Sequence, residues 1–349
     1  MARLRRSEQT EPGLVDERRL DAWIGDRLPG GGAPLHVERM GEATGSGNAL
    51  FRVRRGGHEW VLRRPPEVVN APGASDMVRE WRLLSALEGT DVPHPRPLLL
   101  CDDVDVLGAP FLLMDVVDGF TPVGSLPPPY DNPAARRALA YAMVDALAQL
   151  AHVDWVAAGL DGLGKPDGFL ERQVPRWLAQ LDRYRTRDIP ELDVVASWLD
   201  TNRPTMSPPA IMHGDYSPYN VMASWTTTDR LAAVIDWDTG TIGDPLLDIG
   251  HLLARWTEPG EEPSLHIDIE PRDGLPVRSE LASRYADRSG RDMSAIAYYE
   301  VLSLFKLAII LEGPYSRRKA AGIPESENTA PAIDRLMRSA AAFASGARV

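Results

Sequence analysis

The stretch Ile211-Met-His-Gly-Asp-Tyr-Ser-Pro-Tyr-Asn-Val-Met222, followed by Val234-Ile-Asp-Trp237 and Gly243-Asp-Pro245, decides how the rest of the chain is read. Asp215 and Asn220 stand five positions apart on a proline-containing loop, and Asp236 comes 16 residues after Asn220 at the end of an apolar run. An aspartate on such a loop is ordinarily a turn former, so Asp215 alone would carry little. Together the three supply two hard oxygen ligands, Asn220 and Asp236, to hold Mg²⁺ on nucleotide phosphates. They leave a separate carboxylate, Asp215, to take the proton from an attacking hydroxyl, which is the set that phosphoryl transfer requires. A carboxylate near its ordinary pKa suffices as base if it is well positioned, because the loose transition state asks mainly for alignment.

Upstream, the signals from about Leu35 to Val117 are those of strands. Ala49 to Arg54 and Glu59 to Arg64 flank Gly56-Gly57, a dipeptide that supplies the positive φ angles of a two-residue hairpin. Asp76 to Leu87 carries Met77, Val78, Trp81, Leu84 and Leu87 at helical spacing, with Asp76 or Ser75 as N-cap. Leu98 to Cys101 and Pro110 to Val117 read as two more strands across an acidic turn. After Asp118-Gly119 helices dominate: one opening at Asn132-Pro133, then about Leu170 to Tyr184, Leu192 to Leu199, Pro245 to Trp256, Pro276 to Ser289 and Ala295 to Glu312. Two short β-like runs, Ile211-Met212 and Leu231 to Ile235, interrupt them. The expected organisation is a leader with a first helix over 1–34, a β-rich lobe over 35–118 and a helical lobe over 119–349.

His213-Gly-Asp215, Asn220, Ile235-Asp-Trp237 and Gly243-Asp-Pro245 with Asp248 resemble the catalytic signature of the aminoglycoside phosphotransferase and choline kinase-like families, small-molecule relatives of the protein kinases. The resemblance covers the chain from about residue 35 to 320. It implies an α+β, two-lobed protein-kinase-like fold, with ATP or another nucleoside triphosphate and Mg²⁺ as cofactors and a small-molecule hydroxyl as acceptor. Asp215 then becomes the catalytic base, Asn220 and Asp236 the Mg²⁺ ligands, and Trp237 the occupant of the place where protein kinases put Phe after the metal-binding Asp. In kinases the hinge holds adenine through its backbone, so Asp115 to Val117 would contribute backbone atoms and Met114 a packing surface, unless Met114 is simply core.

One departure from the family pattern stands out. Kinases of this superfamily place a lysine on the third strand to hold the α/β-phosphates, yet the three lysines here are Lys165, Lys306 and Lys319. Arginine must substitute, and alternation on the hairpin favours Arg63 over Arg64, with Glu80, 17 residues on, as its ion-pair partner. The competing reading makes Arg63 and Arg64 solvated edge residues. Gly41-Glu-Ala-Thr-Gly45-Ser-Gly47-Asn48 would let backbone amides approach phosphate oxygens, with Gly45, Ser46 and Gly47 at its centre. It is neither a Walker A loop nor a dinucleotide fingerprint.

The remaining residues of the signature read as scaffold before chemistry. His213 reads as a hydrogen-bonded core histidine bracing the loop, Asp244 as the N-cap of a helix with Pro245 at its first position, and Asp248 as a support for the catalytic loop. For the acceptor, Glu258, Glu261, Glu262 and Glu312 could receive an aminocyclitol cation. Against that, Lys306 with Arg317-Arg318-Lys319 would make a basic patch, or merely cap a helix C-terminus. The segment from Tyr298 to Lys319, with Leu62-Arg63-Arg64-Pro65, resembles the kinase-like branch that also occurs fused to some acyl-CoA dehydrogenases, which implies hydroxyacyl-CoA thioesters as alternative acceptors. The missing lysine also leaves room for a catalytically weak, nucleotide-binding module.

Composition bounds these readings. With 349 residues, 44% hydrophobic and 25% charged, the chain has the core of a globular protein with two domains or lobes. A net charge of -12 disfavours a sequence-independent grip on nucleic acid. The lone Cys101 excludes an intramolecular disulfide framework and a Cys-rich zinc site, and no apolar run approaches a membrane span. A cytoplasmic protein with a short frayed leader is expected, with oligomeric state left open.

Overall fold

The computed structural model of the chain describes residues 14–41, 48–66, 76–258, 269–323 and 329–346. The chain divides into two compact units, one comprising residues 1–85 and 95–116, the other 86–94 and 117–349.

The first unit is a five-stranded antiparallel sheet in the order β1-β2-β3-β5-β4, where β1 is Leu35–Met40, β2 Ala49–Arg55, β3 His58–Arg64, β4 Pro97–Cys101 and β5 Phe111–Asp115. The β2–β3 hairpin turns on Gly56 and Gly57 at φ 57 and 82, with Arg55 opposite His58. Gly56 has a second reason to be glycine: a Cβ there would lie 2.8 Å from the Cα of Gly30. Two helices, α1 (Glu17–Ile24) and α3 (Val104–Leu107), belong to this unit, and α2 (Met77–Leu87) starts in it. Leu20 and Ile24 of α1 join Val53, Leu62, Phe111 and Leu113 of the sheet in one buried cluster. The acidic turn expected between β4 and β5 contains α3, capped by the Asp103 carboxylate, which accepts from the backbone N–H of Asp105 at 2.9 Å. Arg63 and Arg64 are both buried, so the solvated-edge reading fails. Arg63 turns to α2, and Arg64 donates to the carbonyls of Leu14 and Leu107.

The second unit is mostly helical: α4 (Pro133–His152), α5 (Gln173–Leu181), α6 (Leu192–Thr201), α7 (Leu246–Ala254), α8 (Arg278–Ser289), α9 (Ile296–Ala320) and α10 (Thr329–Ala344). The strands β6 (Gly124–Ser125) and β11 (Ile269–Glu270) pair in parallel. The two expected β-like runs are β7 (Ala210–Met212) and β9 (Leu231–Val234), paired with β10 (Thr241–Gly243) and β8 (Val221–Ala223), partners too short to show a period-two pattern. α9 corrects an expectation: it passes Glu312 and runs through Gly313-Pro314 to Ala320. Pro314 cannot donate within the helix, and at this turn the Tyr184 hydroxyl donates to the Ile309 carbonyl at 2.6 Å. α7 and α9 approach closely because Gly250 has no side chain; a Cβ there would lie 2.6 Å from the Cβ of Tyr299. That approach brings α9 near the segment after β7.

Candidate active site

β7 delivers the chain to His213-Gly214-Asp215. Gly214 adopts φ 85, and a Cβ on it would meet the Thr239 carbonyl at 2.7 Å, so only glycine fits the turn. α7 holds this turn from one side. Asp248 accepts the backbone N–H of His213 at 2.6 Å and of Gly214 at 2.8 Å. His213 is fully buried: its Nε2 meets the Ile235 carbonyl at 2.9 Å and its Nδ1 accepts from the Asp215 N–H at 3.3 Å, which assigns the ring proton to Nε2. Its ring packs against fully buried Trp237, whose indole N–H donates to the Val234 carbonyl. His213 and Asp248 therefore brace the loop.

The Asp215 carboxylate is half-exposed, and its two oxygens face different neighbours. Oδ1 lies 3.2 Å from His251 Nε2 and 3.9 Å from Arg255 Nη1, while Oδ2 accepts from Asn220 Nδ2 at 3.2 Å. The same Asn220 amide donates to the Asp215 carbonyl at 2.8 Å. On α9, Lys306 donates from Nζ to the Gly214 carbonyl at 2.6 Å. Partial burial pushes the Asp215 carboxyl up, but the His251 hydrogen bond and the charges of Lys306 and Arg255 outweigh it and hold the group well below the usual carboxylate range. Burial pushes His251 down to about 4, against the pull of Asp215. Burial also lowers Lys306 and Arg255 and raises Asp248. Near neutral pH the centre thus holds an ionised aspartate beside an uncharged imidazole.

Asn220 and Asp236 are tied together by the β8–β9 hairpin. Val221 pairs with Val234, and the Ile235 N–H donates to the Asn220 carbonyl at 2.9 Å, so a 16-residue separation in sequence closes to one end of a hairpin. Asp236 is exposed and sits at φ 64, ψ 64, a left-handed conformation that a non-glycine residue adopts at a cost of about 1–2 kcal/mol. With both Asn220 amide hydrogens turned toward Asp215, Oδ1 is the atom left to bind a cation. Two protein oxygens, Asn220 Oδ1 and an Asp236 carboxylate oxygen, suit Mg²⁺, which takes few protein ligands and keeps water and phosphate oxygens for the rest. Among the described residues no cluster of three or more His, Cys, Asp or Glu forms a self-sufficient metal cage.

In the first unit, Arg63 Nε lies 2.8 Å from Glu80 Oε2, both buried. Met114 is buried on β5; Asp115 pairs with Arg96 at 2.9 Å and donates its N–H to the Arg96 carbonyl; Val117 is half-buried where the second unit resumes. Gly45, Ser46 and Gly47 lie outside the described residues, as do Glu261 and Glu262. Several expectations are corrected. Lys306 is no part of a surface patch, since it points to the Gly214 carbonyl; only Arg317, Arg318 and Lys319 are exposed in the last turn of α9. Glu258 is engaged by Arg278, at 2.7 Å from its N–H and 3.4 Å from its Nη1, and fully buried Glu312 by Arg187 at 2.9 Å, so neither is held out for a cationic acceptor. Asp244 lies two residues before α7, accepting from Leu246 N–H, Ser207 N–H and the Tyr299 hydroxyl. The sequence reading did not single out His251 or Arg255. Asp248, His251 and Arg255 stand at i, i+3 and i+7, one helical face, and that spacing was the available signal.

Residues 43–295 match the model of the phosphotransferase enzyme family, well over half of the chain. The chain belongs to that family. It is a small-molecule kinase with a two-lobed, protein-kinase-like α+β fold. It is 33% identical over 311 residues to acyl-CoA dehydrogenase family member 11 of Rattus norvegicus, covering 86% of this chain and 39% of that protein. It therefore spans about two fifths of the length of such relatives. A crystal structure from Ralstonia eutropha JMP134, classed with the aminoglycoside phosphotransferases, superposes with a TM-score of 0.77 at 29% identity, covering 96% of this chain and 99% of the other. Choline kinase from Cryptosporidium parvum Iowa II shares the fold at a TM-score of 0.61 and 11% identity, over 95% and 96% of the two chains. Among the described residues no helix is long and apolar enough to cross a membrane.

Proposed function

We propose that the chain transfers the γ-phosphoryl group of ATP, with Mg²⁺, to a hydroxyl of a small molecule, and that Asp215 is the base. The observation that carries this reading is the Asp215 carboxylate held between Asn220 on Oδ2 and His251 with Arg255 on Oδ1. Asp215 orients the acceptor hydroxyl and takes its proton as the oxygen bonds to the γ-phosphorus; the bond to the β,γ-bridging oxygen breaks and ADP leaves with that electron pair. A carboxylate held so low is a weak base but is always ionised, and a loose transition state needs alignment more than basicity. Mg²⁺, when bound, neutralises charge on the β- and γ-phosphates, and Asn220 and Asp236 would hold it. Arg63, fixed by Glu80, would clamp the α/β-phosphates in place of the usual lysine.

A mass-shift screen for phosphoryl addition, run with Mg·ATP across aminoglycosides, amino alcohols, sugars, hydroxy acids and hydroxyacyl-CoA thioesters, tests the reading. Asp215→Asn should cut kcat at least a hundredfold with the KM for ATP nearly kept. Asp236→Asn should weaken Mg·ATP binding as well as turnover. A variant at Asp215 that loses ATP affinity and keeps kcat would contradict the assignment. A second reading, a hydroxyacyl-CoA thioester as acceptor, is favoured by the similarity to proteins named acyl-CoA dehydrogenases over 86% of this chain.

A further inference from the structure

The turn that carries Asp215 is made of three successive peptide groups, and they are not held alike. The first presents the His213 N–H to Asp248 Oδ2 at 2.6 Å. The second, joining His213 to Gly214, is held at both ends: Asp248 Oδ1 accepts its N–H at 2.8 Å, and its carbonyl accepts from the Thr239 hydroxyl at 2.8 Å. The third joins Gly214 to Asp215, so its plane sets the direction in which the Asp215 side chain leaves the backbone. Its N–H reaches His213 Nδ1 only at 3.3 Å, beyond the usual hydrogen-bond range. Its carbonyl accepts from Lys306 Nζ at 2.6 Å, and among the described residues that is the only donor on it.

Glycine is the residue least able to fix this peptide by itself. Gly214 sits at φ 85 and has no side chain to restrict rotation, so the peptide that follows can turn unless a partner stops it. Lys306 comes to it from 92 residues away. It reaches because α9 lies close to α7 at Gly250, and its Nζ lies 5.8 Å from the ring centre of buried Trp177. Among the described residues half-buried Lys306 makes no other hydrogen bond and pairs with no carboxylate, so its side chain serves this one carbonyl.

Resting on the kinase reading above, we infer that Lys306 is a positioning residue of the phosphoryl transfer: through the Gly214 carbonyl it fixes the peptide from which Asp215 projects, and with it the aim of the carboxylate at the acceptor hydroxyl. A misplacement of about 1 Å in a reacting group costs about a hundredfold in rate. Asn220 and His251 still hold the carboxylate itself, so the loss without Lys306 is partial. It falls on kcat, because the groups assigned to the nucleotide, Arg63 and Asp236, do not depend on this peptide.

Lys306→Met keeps the apolar stem and removes the donor, so it tests the hydrogen bond and not the packing. Two readouts apply: ADP release from Mg·ATP with water as the acceptor, and amide hydrogen exchange followed by NMR. In Lys306→Met kcat should fall at least tenfold with the KM for ATP unchanged. The Asp215 amide should exchange at least tenfold faster, while the His213 and Gly214 amides, held by Asp248, keep their protection. Lys306→Arg restores an N–H donor at a different reach and should recover part of both effects. Circular dichroism establishes that both variants are folded. Wild-type kcat with wild-type exchange in Lys306→Met overturns the assignment. So does a raised KM for ATP with kcat kept, which would put Lys306 on the nucleotide, or an equal loss of protection at all three amides, which would make it a general prop of the fold. A wild type that releases no ADP with water or with any acceptor sinks the kinase reading, and the exchange rates then still decide whether Lys306 holds the peptide.

Discussion

The substitution His251→Gln should alter how stability depends on pH while leaving the fold in place. In the native protein burial holds His251 at about 4, with Arg255 and Lys306 pushing the same way and Asp215 opposing, whereas an exposed imidazole titrates near 6.5. Between those limits the unfolded chain binds a proton that the folded chain refuses, so stability rises with pH through this window and is complete above about 6.5. The displacement is worth about 3 kcal/mol at full extent, a large part of the 5–15 kcal/mol typical of a folded domain. The glutamine side chain in the variant offers an amide to Asp215 and cannot titrate. The difference in unfolding free energy between the two proteins, read from urea titrations by tryptophan fluorescence, should be constant near pH 7. It should move against the wild type by up to about 3 kcal/mol as the pH falls to about 4. Asp244 and Asp248, both raised by burial, act with the opposite sign but remain in both proteins and cancel in the difference. A flat difference, or a wild type that gains on the variant in acid, would refute the reasoning, as would an NMR titration placing the His251 ring near 6.5.

Three further substitutions test the cations that the family pattern does not predict. Arg63→Lys should keep the fold and raise the KM for ATP, since the buried pair with Glu80 survives but the fork is lost; Arg64→Ala should lower stability by about 1–3 kcal/mol, leaving the Leu107 carbonyl unpaired, with the KM for ATP unchanged in the folded fraction. A thermal melt and an ATP saturation curve separate them, and the reverse pattern would move the clamp to Arg64. Lys306→Met removes a charge-assisted bond worth about 1.5–3 kcal/mol from the Gly214 carbonyl and should lower kcat about 10- to 150-fold with the KM for ATP unchanged; wild-type kcat would show that the loop does not depend on it.

Much of the loop was legible because its chemistry is local. Asp215 and Asn220 stand five positions apart on one proline-containing loop, and the Val-Ile-Asp run ends a strand; each is a statement about neighbouring residues. The Gly56-Gly57 hairpin was legible for the same reason. What stayed hidden is what tertiary packing decides. Lys306 reads as surface charge in sequence, and only the close approach of α7 and α9 at Gly250 turns it inward to Gly214. Gly313-Pro314 reads as a helix stop, yet α9 continues because its buried face, including Phe305, Ile309 and Glu312, is held by packing that outweighs a local breaker. Glu258 and Glu312 read as an acidic welcome for a cation, and their arginine partners lie 20 and 125 residues away.

The cations around Asp215 also explain why the centre holds together. Asp248 is a buried carboxylate that accepts two backbone N–H groups, and half-buried Lys306 of α9 donates to the Gly214 carbonyl. The carboxylate would not be stable alone in that interior. The loop backbone lies between them, so its N–H groups point at the anion and its carbonyl at the cation, and the peptide dipoles are aligned by both. Asp215 follows directly after this clamped segment, and its carboxylate is then positioned by side chains from α7 and from the Asn220 turn rather than by the loop's own stiffness. On this argument the tolerance of the site to mutation should follow the clamp, with Asp248 and Lys306 coupled to each other more strongly than either is to Asp236.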